Sequence, residues 1–256
     1  DDLPQIPVVR SADRIIFYAQ GPTTWGTTMG KVTFIPVQHP YATAGYYFVT
    51  DDAQYSDAPI AKSSISPAGE KISTFTERLF DEEELVNPGE TGRILLGKDF
   101  RYTKSQSIKF SLPGYVAGSE VNVVTNFASK TMGGNARLTF QQNGNNIESS
   151  NSDYISATND VAHSHYTIGN FEKSFPLTSG EDLTFTINYN PSGTVYLARL
   201  NYVAVNYDRR LALNNGTIAW SEKNGSSNMQ YLLSGITGET QVWDVTVPHR
   251  PTLMNV

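Results

Sequence analysis

The chain has 256 residues, of which 39% are hydrophobic and 17% charged, so it is a globular chain able to bury one large core or two smaller ones. A net charge of −6 without any basic run excludes a general nucleic-acid or acidic-lipid surface, which needs clustered Lys and Arg. There is no cysteine, which excludes disulfides, thiolate metal sites and a cysteine nucleophile within these residues.

The opening, DDLPQIPVV, carries acids and prolines but no basic or apolar leader pattern, and it reads like interior sequence. The closing VWDVTVPHRPTLMNV has no terminating element, so the chain is expected to be a piece of a longer protein. No stretch approaches eighteen consecutive apolar residues, so no helical membrane span is expected. IIFYA (15–19) is apolar on both faces and suits a central or doubly covered strand. In HPYATAGYYFVTDD (39–52), Pro40 and Tyr41 set a turn into an expected strand over Tyr46–Thr50. At least two of Tyr41, Tyr46, Tyr47 and Phe48 are expected to be buried. SPAGEKISTF (66–75) reads as a turn. FDEEELVN (80–87) reads as one or two helical turns, with Asp81 as the cap and acids at the positive helix end.

From there strand signals dominate. In SIKFSLP (107–113), Ile108, Phe110 and Leu112 face one way while Ser107, Lys109 and Ser111 face the other. VNVV (121–124) is apolar on both faces. ARLTFQQ (136–142) alternates again and runs into Asn143-Gly144, a pair that supplies the positive φ of a tight hairpin turn. ESSNSDYISATND (148–160) reads as a long loop. DLTFTINY (182–189) repeats the alternation through Leu183, Phe185, Ile187 and Tyr189, and NPSG separates it from the long run TVYLARLNYVAVNY (194–207). A second Asn-Gly, at 215–216, lies between RRLAL and TIAW.

This pattern predicts an all-β fold. It comprises an antiparallel jelly-roll-like β-sandwich over 75–210, a small β-rich segment at 1–74, and two or three strands at 211–256.

Candidate sites are few. Asp51 and Asp52 are adjacent, so on a strand they face opposite sides and cannot share a substrate. The acids at Asp81–Glu84 read as a solvated helix start. There is no GxSxG elbow to present a serine, and His39 is a lone base candidate. His163 and His165, two apart, would face one side of a strand as zinc ligands do, but no third ligand can be named; two exposed polar histidines is the plainer reading. TDDAQYSD and SSNSD could hold a structural calcium through carboxylates and carbonyls, though neither has EF-hand spacing. No catalytic, cofactor-binding or metal residue is therefore assigned. Fourteen tyrosines with Trp25, Trp220 and Trp243 leave a carbohydrate-binding jelly roll or a structural adhesin-like domain open as alternatives.

One resemblance goes further. DRIIFYAQGPTTW (13–25) followed by HPYATAGYYFVTDD is similar to the non-catalytic region ahead of the peptidase domain in gingipain-like cysteine peptidases, above all the type IX secretion cell-surface sortases. The matching residues are Phe17, Tyr18, Gln20, Gly21, Pro22 and Trp25, then His39, Pro40 and Tyr41, then Tyr46–Thr50. Gly92, Arg93, Gly97 and Phe100 fit a later block, with Leu95-Leu96 in place of an aromatic pair. LNYVAVNYDRRLAL (200–213) and VWDVTVPHRP (242–251) resemble the strand that closes the sandwich and the passage into the catalytic half.

The resemblance implies a parent that attacks peptides with a cysteine thiolate at the surface of a Gram-negative cell. It implies that the catalytic Cys and His lie downstream, and that His39 is structural. This region itself is then no enzyme. Its expected partners are its own downstream catalytic domain and a secreted protein substrate or an outer-membrane secretion component, with no nucleic acid.

Overall fold

Alternation of apolar and polar residues builds most of this molecule, and it is clearest where one sheet face is wet. The computed structural model describes residues 4–27, 33–52, 54, 56–64, 69–87, 94–158, 166–178, 180–214, 216–221 and 229–255. Two short hairpins come first, β1 (Val8–Arg10) with β2 (Ile15–Phe17) and β3 (Thr24–Thr27) with β4 (Phe34–Val37). Next are β5 (Ala61–Ser64), β6 (Glu70–Ile72) and β7 (Thr74–Glu82). The central strands are β8 (Ser105–Ser111), β9 (Glu120–Met132), β10 (Ala136–Gln142), β11 (Asn145–Asn146) and β12 (Tyr154–Ile155). After them come β13 (Thr167–Pro176), β14 (Asp182–Pro191) and β15 (Val195–Arg210). The chain closes with β16 (Met229–Tyr231), β17 (Val242–Asp244) and β18 (Thr252–Asn255).

One sheet has the order β13-β9-β15-β7, and the facing sheet runs β11-β10-β14-β8 with β12 added beside β10. From β7 to β10, and again from β13 to β15, every connection passes from one sheet to the other. That alternation, closed by the β11–β12 corner, is jelly-roll topology. The expected all-β sandwich is present, and its core draws on both inner faces, including Ile108, Phe127, Leu138, Phe185 and Val203.

Two local devices hold this arrangement. Asn143 (φ 47°) and Gly144 (φ 83°) form the tight turn between β10 and β11, and the Asn143 side chain accepts the Thr184 amide at 2.7 Å. Strand β15 is sixteen residues long and would twist its apolar face out of the core were it regular. A register shift between Leu200 and Tyr202 makes Asn201 a bulge, so the inward set changes from Ala198 and Leu200 to Val203, Val205 and Tyr207.

Where the sequence reading and the structure differ, pairing decides. FDEEELVN starts no helix: β7 runs through Phe80, Asp81 and Glu82, each paired with β15. The SPAGEKISTF turn gives way to β6 and the start of β7 over its described residues. IIFYA is not doubly covered, since Ile15, Ile16 and Phe17 sit in a two-stranded ribbon that offers one partner and no second layer. The loop at 148–160 contains a 3-10 turn, Asn151–Asp153, before β12.

The segments on either side of the sandwich share sheets. β16 runs parallel to β6, and β18 runs parallel to β5 while also pairing β17. The β3–β4 hairpin lies on the outer face of the β7–β15 sheet. There Ile35 covers Val124, Tyr202 and Ala204, and Trp25 meets Phe80 edge-on at 5.5 Å. Asn206, almost fully buried, pins the hairpin by accepting the Phe34 amide at 2.8 Å and donating to the Phe34 carbonyl at 2.9 Å.

Candidate functional site: an exposed aromatic segment beside a small cleft

Three sequence blocks that lie far apart in the chain meet at one cleft. Ile6, Tyr18, Gln20, Tyr47, Pro248 and His249 line a volume of about 230 Å³. Tyr47 is fixed in it: its hydroxyl accepts the Gln20 amide at 3.0 Å, and its ring lies 5.3 Å from Phe17. Tyr18 and His249 were not singled out as site residues by sequence reasoning; only the joining of the N- and C-terminal segments brings them together.

The residues flanking Tyr47 behave differently. Tyr46 is 85% exposed, Phe48 84% and Tyr41 77%, and Tyr47 itself is 40% exposed. The expectation that at least two of these four are buried is therefore overturned. Nor does Tyr46–Thr50 form a strand, because no neighbouring strand pairs with its backbone. Without a sheet to carry it, an apolar run has no layer to pack under, and here it stands in water. A run of large exposed rings is a candidate binding face. Replacing Tyr46 and Phe48 by Ser is accordingly expected to change stability by no more than about 0.5 kcal/mol, read as an unchanged melting midpoint.

The other sequence candidates disperse. His39 is exposed, and its Nδ1 accepts the Tyr41 amide at 3.2 Å, a local turn contact. Asp51 is exposed, and Asp52 accepts both the backbone amide and the side-chain amide of Gln54, at 3.1 and 2.9 Å. Asp81 and Glu83 hold Lys98 at 2.9 and 2.6 Å, on the face opposite Glu82. His163 and His165 lie outside the described residues. In the SSNSD loop, Asp153 is buried against Lys173. Among the described residues no group of three or more His, Asp or Glu side chains is placed to hold a metal.

The tryptophans are half-buried rather than displayed. Trp25 packs under the guanidinium of Arg78 at 5.3 Å, Trp220 lies 5.8 Å from Tyr231, and the Trp243 indole donates to Gln241. The exposed rings are tyrosines and phenylalanine.

Fold and site together define a jelly-roll module with β-rich segments clasped at one side, carrying an aromatic surface and, among the described residues, no metal cluster. A specific likeness narrows this class. The whole chain superposes on dimeric latent PorU from Porphyromonas gingivalis with a TM-score of 0.87 and 26% identity, covering 100% of this chain and 24% of that one. The fold is thus PorU-like, and the chain spans about a quarter of its neighbour's length. More distant likenesses are to the insecticidal delta-endotoxin Cry8Ea1 of Bacillus thuringiensis and to the VP2 subviral particle of infectious bursal disease virus. The first has a TM-score of 0.32 and 12% identity, covering 42% of this chain and 18% of that one. The second has a TM-score of 0.25 and 11% identity, covering 63% and 38%. No protein-family model matches the chain, and no curated protein sequence matches it.

Proposed function

We propose that the chain is a non-catalytic accessory region of a type IX sortase-like, gingipain-like cysteine peptidase at the surface of a Gram-negative cell. The observation that carries this reading is the end-to-end likeness to PorU, in which all of this chain corresponds to a quarter of a much longer one. The ordered sequence blocks agree with it, and the absence of cysteine leaves this segment without a thiolate nucleophile. On this reading Tyr41, Tyr46, Phe48 and Val49 form the face that packs on the parent's catalytic domain. A secreted substrate or an outer-membrane secretion component would dock on other surfaces of the assembled protein.

The test is reconstitution. The purified chain, mixed with the separately expressed remainder of its parent, is expected to co-elute as a 1:1 complex in size-exclusion chromatography. The Tyr46→Ser/Phe48→Ser variant is expected to bind at least tenfold more weakly, since two central aromatic anchors of an interface are lost. Peptidase activity from the chain alone would overturn the reading, as would failure of the folded chain to bind the remainder. Binding to a polysaccharide array that is abolished by the same two substitutions would instead assign a carbohydrate-binding module.

A further inference from the structure

Glu82 lies on the outer face of the sheet that the β3–β4 hairpin covers. It ends β7, directly across from Tyr202 on β15, on the same outward face that Phe80 presents to Trp25. The side chain of Gln38, the residue after β4, lies near this carboxyl and favours its charged form, and the Gln38 Oε1 accepts the Thr23 hydroxyl. Its Oε2 is buried and, among the described residues, has no hydrogen-bond partner. A carboxylate with a buried oxygen left unpartnered is costly when charged and much less so when neutral.

The surroundings do not relieve that charge. Glu84, two residues on, adds like charge, and Tyr202 contributes a phenol. His39 follows Gln38 but turns to the Tyr41 amide, and Lys98 is taken by Asp81 and Glu83. Arg78, earlier on the same face, lies over the rings of Phe34 at 4.7 Å and Trp25 at 5.3 Å.

We propose that Glu82 is a proton-operated latch: protonated, it lets the β3–β4 hairpin seat on the sheet, and ionised, it favours release of the hairpin and exposure of Val124, Tyr202 and Ala204. The proposal rests on the hairpin contact alone and not on the parent's activity. Burial, then the charge of Glu84, pushes the Glu82 carboxyl up to about 7 against the nearby Gln38 side chain, which lowers it. The sign follows from proton linkage. A carboxyl whose docked-state value lies above its ordinary 4.5 binds its proton more tightly when docked, so docking is strongest below about pH 4.5. It weakens as pH rises through 7 and changes little beyond about pH 8.

The experiment is hydrogen exchange of the peptide covering 33–38 in the whole chain, expressed as protection factors so that the intrinsic pH dependence of exchange cancels. Protection is expected to fall by roughly tenfold between pH 5.5 and 8.5, a figure reduced for the partial exposure of Glu82. Glu82→Gln is expected to remove the pH dependence, whereas Asn206→Ala should lower protection at every pH and keep it. A carbon-detected titration of the wild-type Glu82 carboxyl supplies a reading that needs no variant. Equal protection at both pH values, an unaltered pH dependence in Glu82→Gln, or titration of Glu82 near 4.5 would each overturn the latch.

Discussion

Phe127→Ala is expected to lower the stability of the chain by about 3–5 kcal/mol, the range for a fully buried phenylalanine that leaves a cavity. Phe127 is completely buried near the middle of β9, and it belongs to both layers at once. Its ring lies 5.7 Å from Tyr189 on β14 of the facing sheet and 5.0 Å edge-on from Phe100, in the connection between β7 and β8. The Tyr189 hydroxyl is fixed in turn at 2.9 Å from that of Ser129, two residues along β9. Shortening Phe127 therefore removes an inter-sheet contact that backbone pairing cannot replace, since the two sheets share no ladder. Phe127→Leu keeps most of the volume and should cost about 1.5 kcal/mol or less. Equilibrium urea unfolding of both variants checks the pair. A loss below about 1 kcal/mol for the alanine variant would mean that the two layers do not close over this ring.

The residues that make Phe127 central were legible beforehand, and the reason is local. Leu183, Phe185, Ile187 and Tyr189 alternate with polar residues, and all four lie in the core as that alternation requires. Asn143-Gly144 turned where its φ preference demanded. What could not be read was anything fixed by a distant partner. Asp81–Glu84 has helix-start chemistry, yet pairing with β15, more than a hundred residues away, draws Asp81 and Glu82 into a strand. The parallel ladders of β5 with β18 and β6 with β16 involve no local turn and left no local trace. The aromatic segment shows the opposite failure: tyrosine and phenylalanine composition predicts burial, but burial needs a second layer, and among the described residues none covers 41–49. Glu82 was visible as an acid, and its hairpin neighbour, Gln38, was not.

Lys173 lies between these cases and carries the second large effect. In the structure it alternates with Phe171 and Phe175 onto the core face of β13, a strand the sequence reading did not draw, and its partner sits in a Ser/Asn-rich run read as a loop. Lys173 and Asp153 are 7% and 2% exposed, and the ammonium reaches both carboxylate oxygens at 2.8 Å and the Glu148 carbonyl at 3.2 Å. Asp153 also accepts the Ser150 amide at 2.7 Å, which closes the 3-10 turn. Asp153→Ala leaves a buried, uncompensated ammonium and is expected to cost about 3–5 kcal/mol. Asp153→Ala/Lys173→Met removes both charges and should recover a large part of that loss, so a double-mutant cycle will show strong coupling. A cycle with additive losses would mean the pair is not an interacting one. Stability is only half of what Lys173 does, because β13 is a ten-residue edge strand with no partner on its outer side among the described residues. A charge pointing inward from an edge strand resists pairing with another chain, since a register slip by one residue would strand it. The double variant should thus fold nearly as well as the wild type and yet aggregate faster at high concentration, which light scattering during refolding would detect.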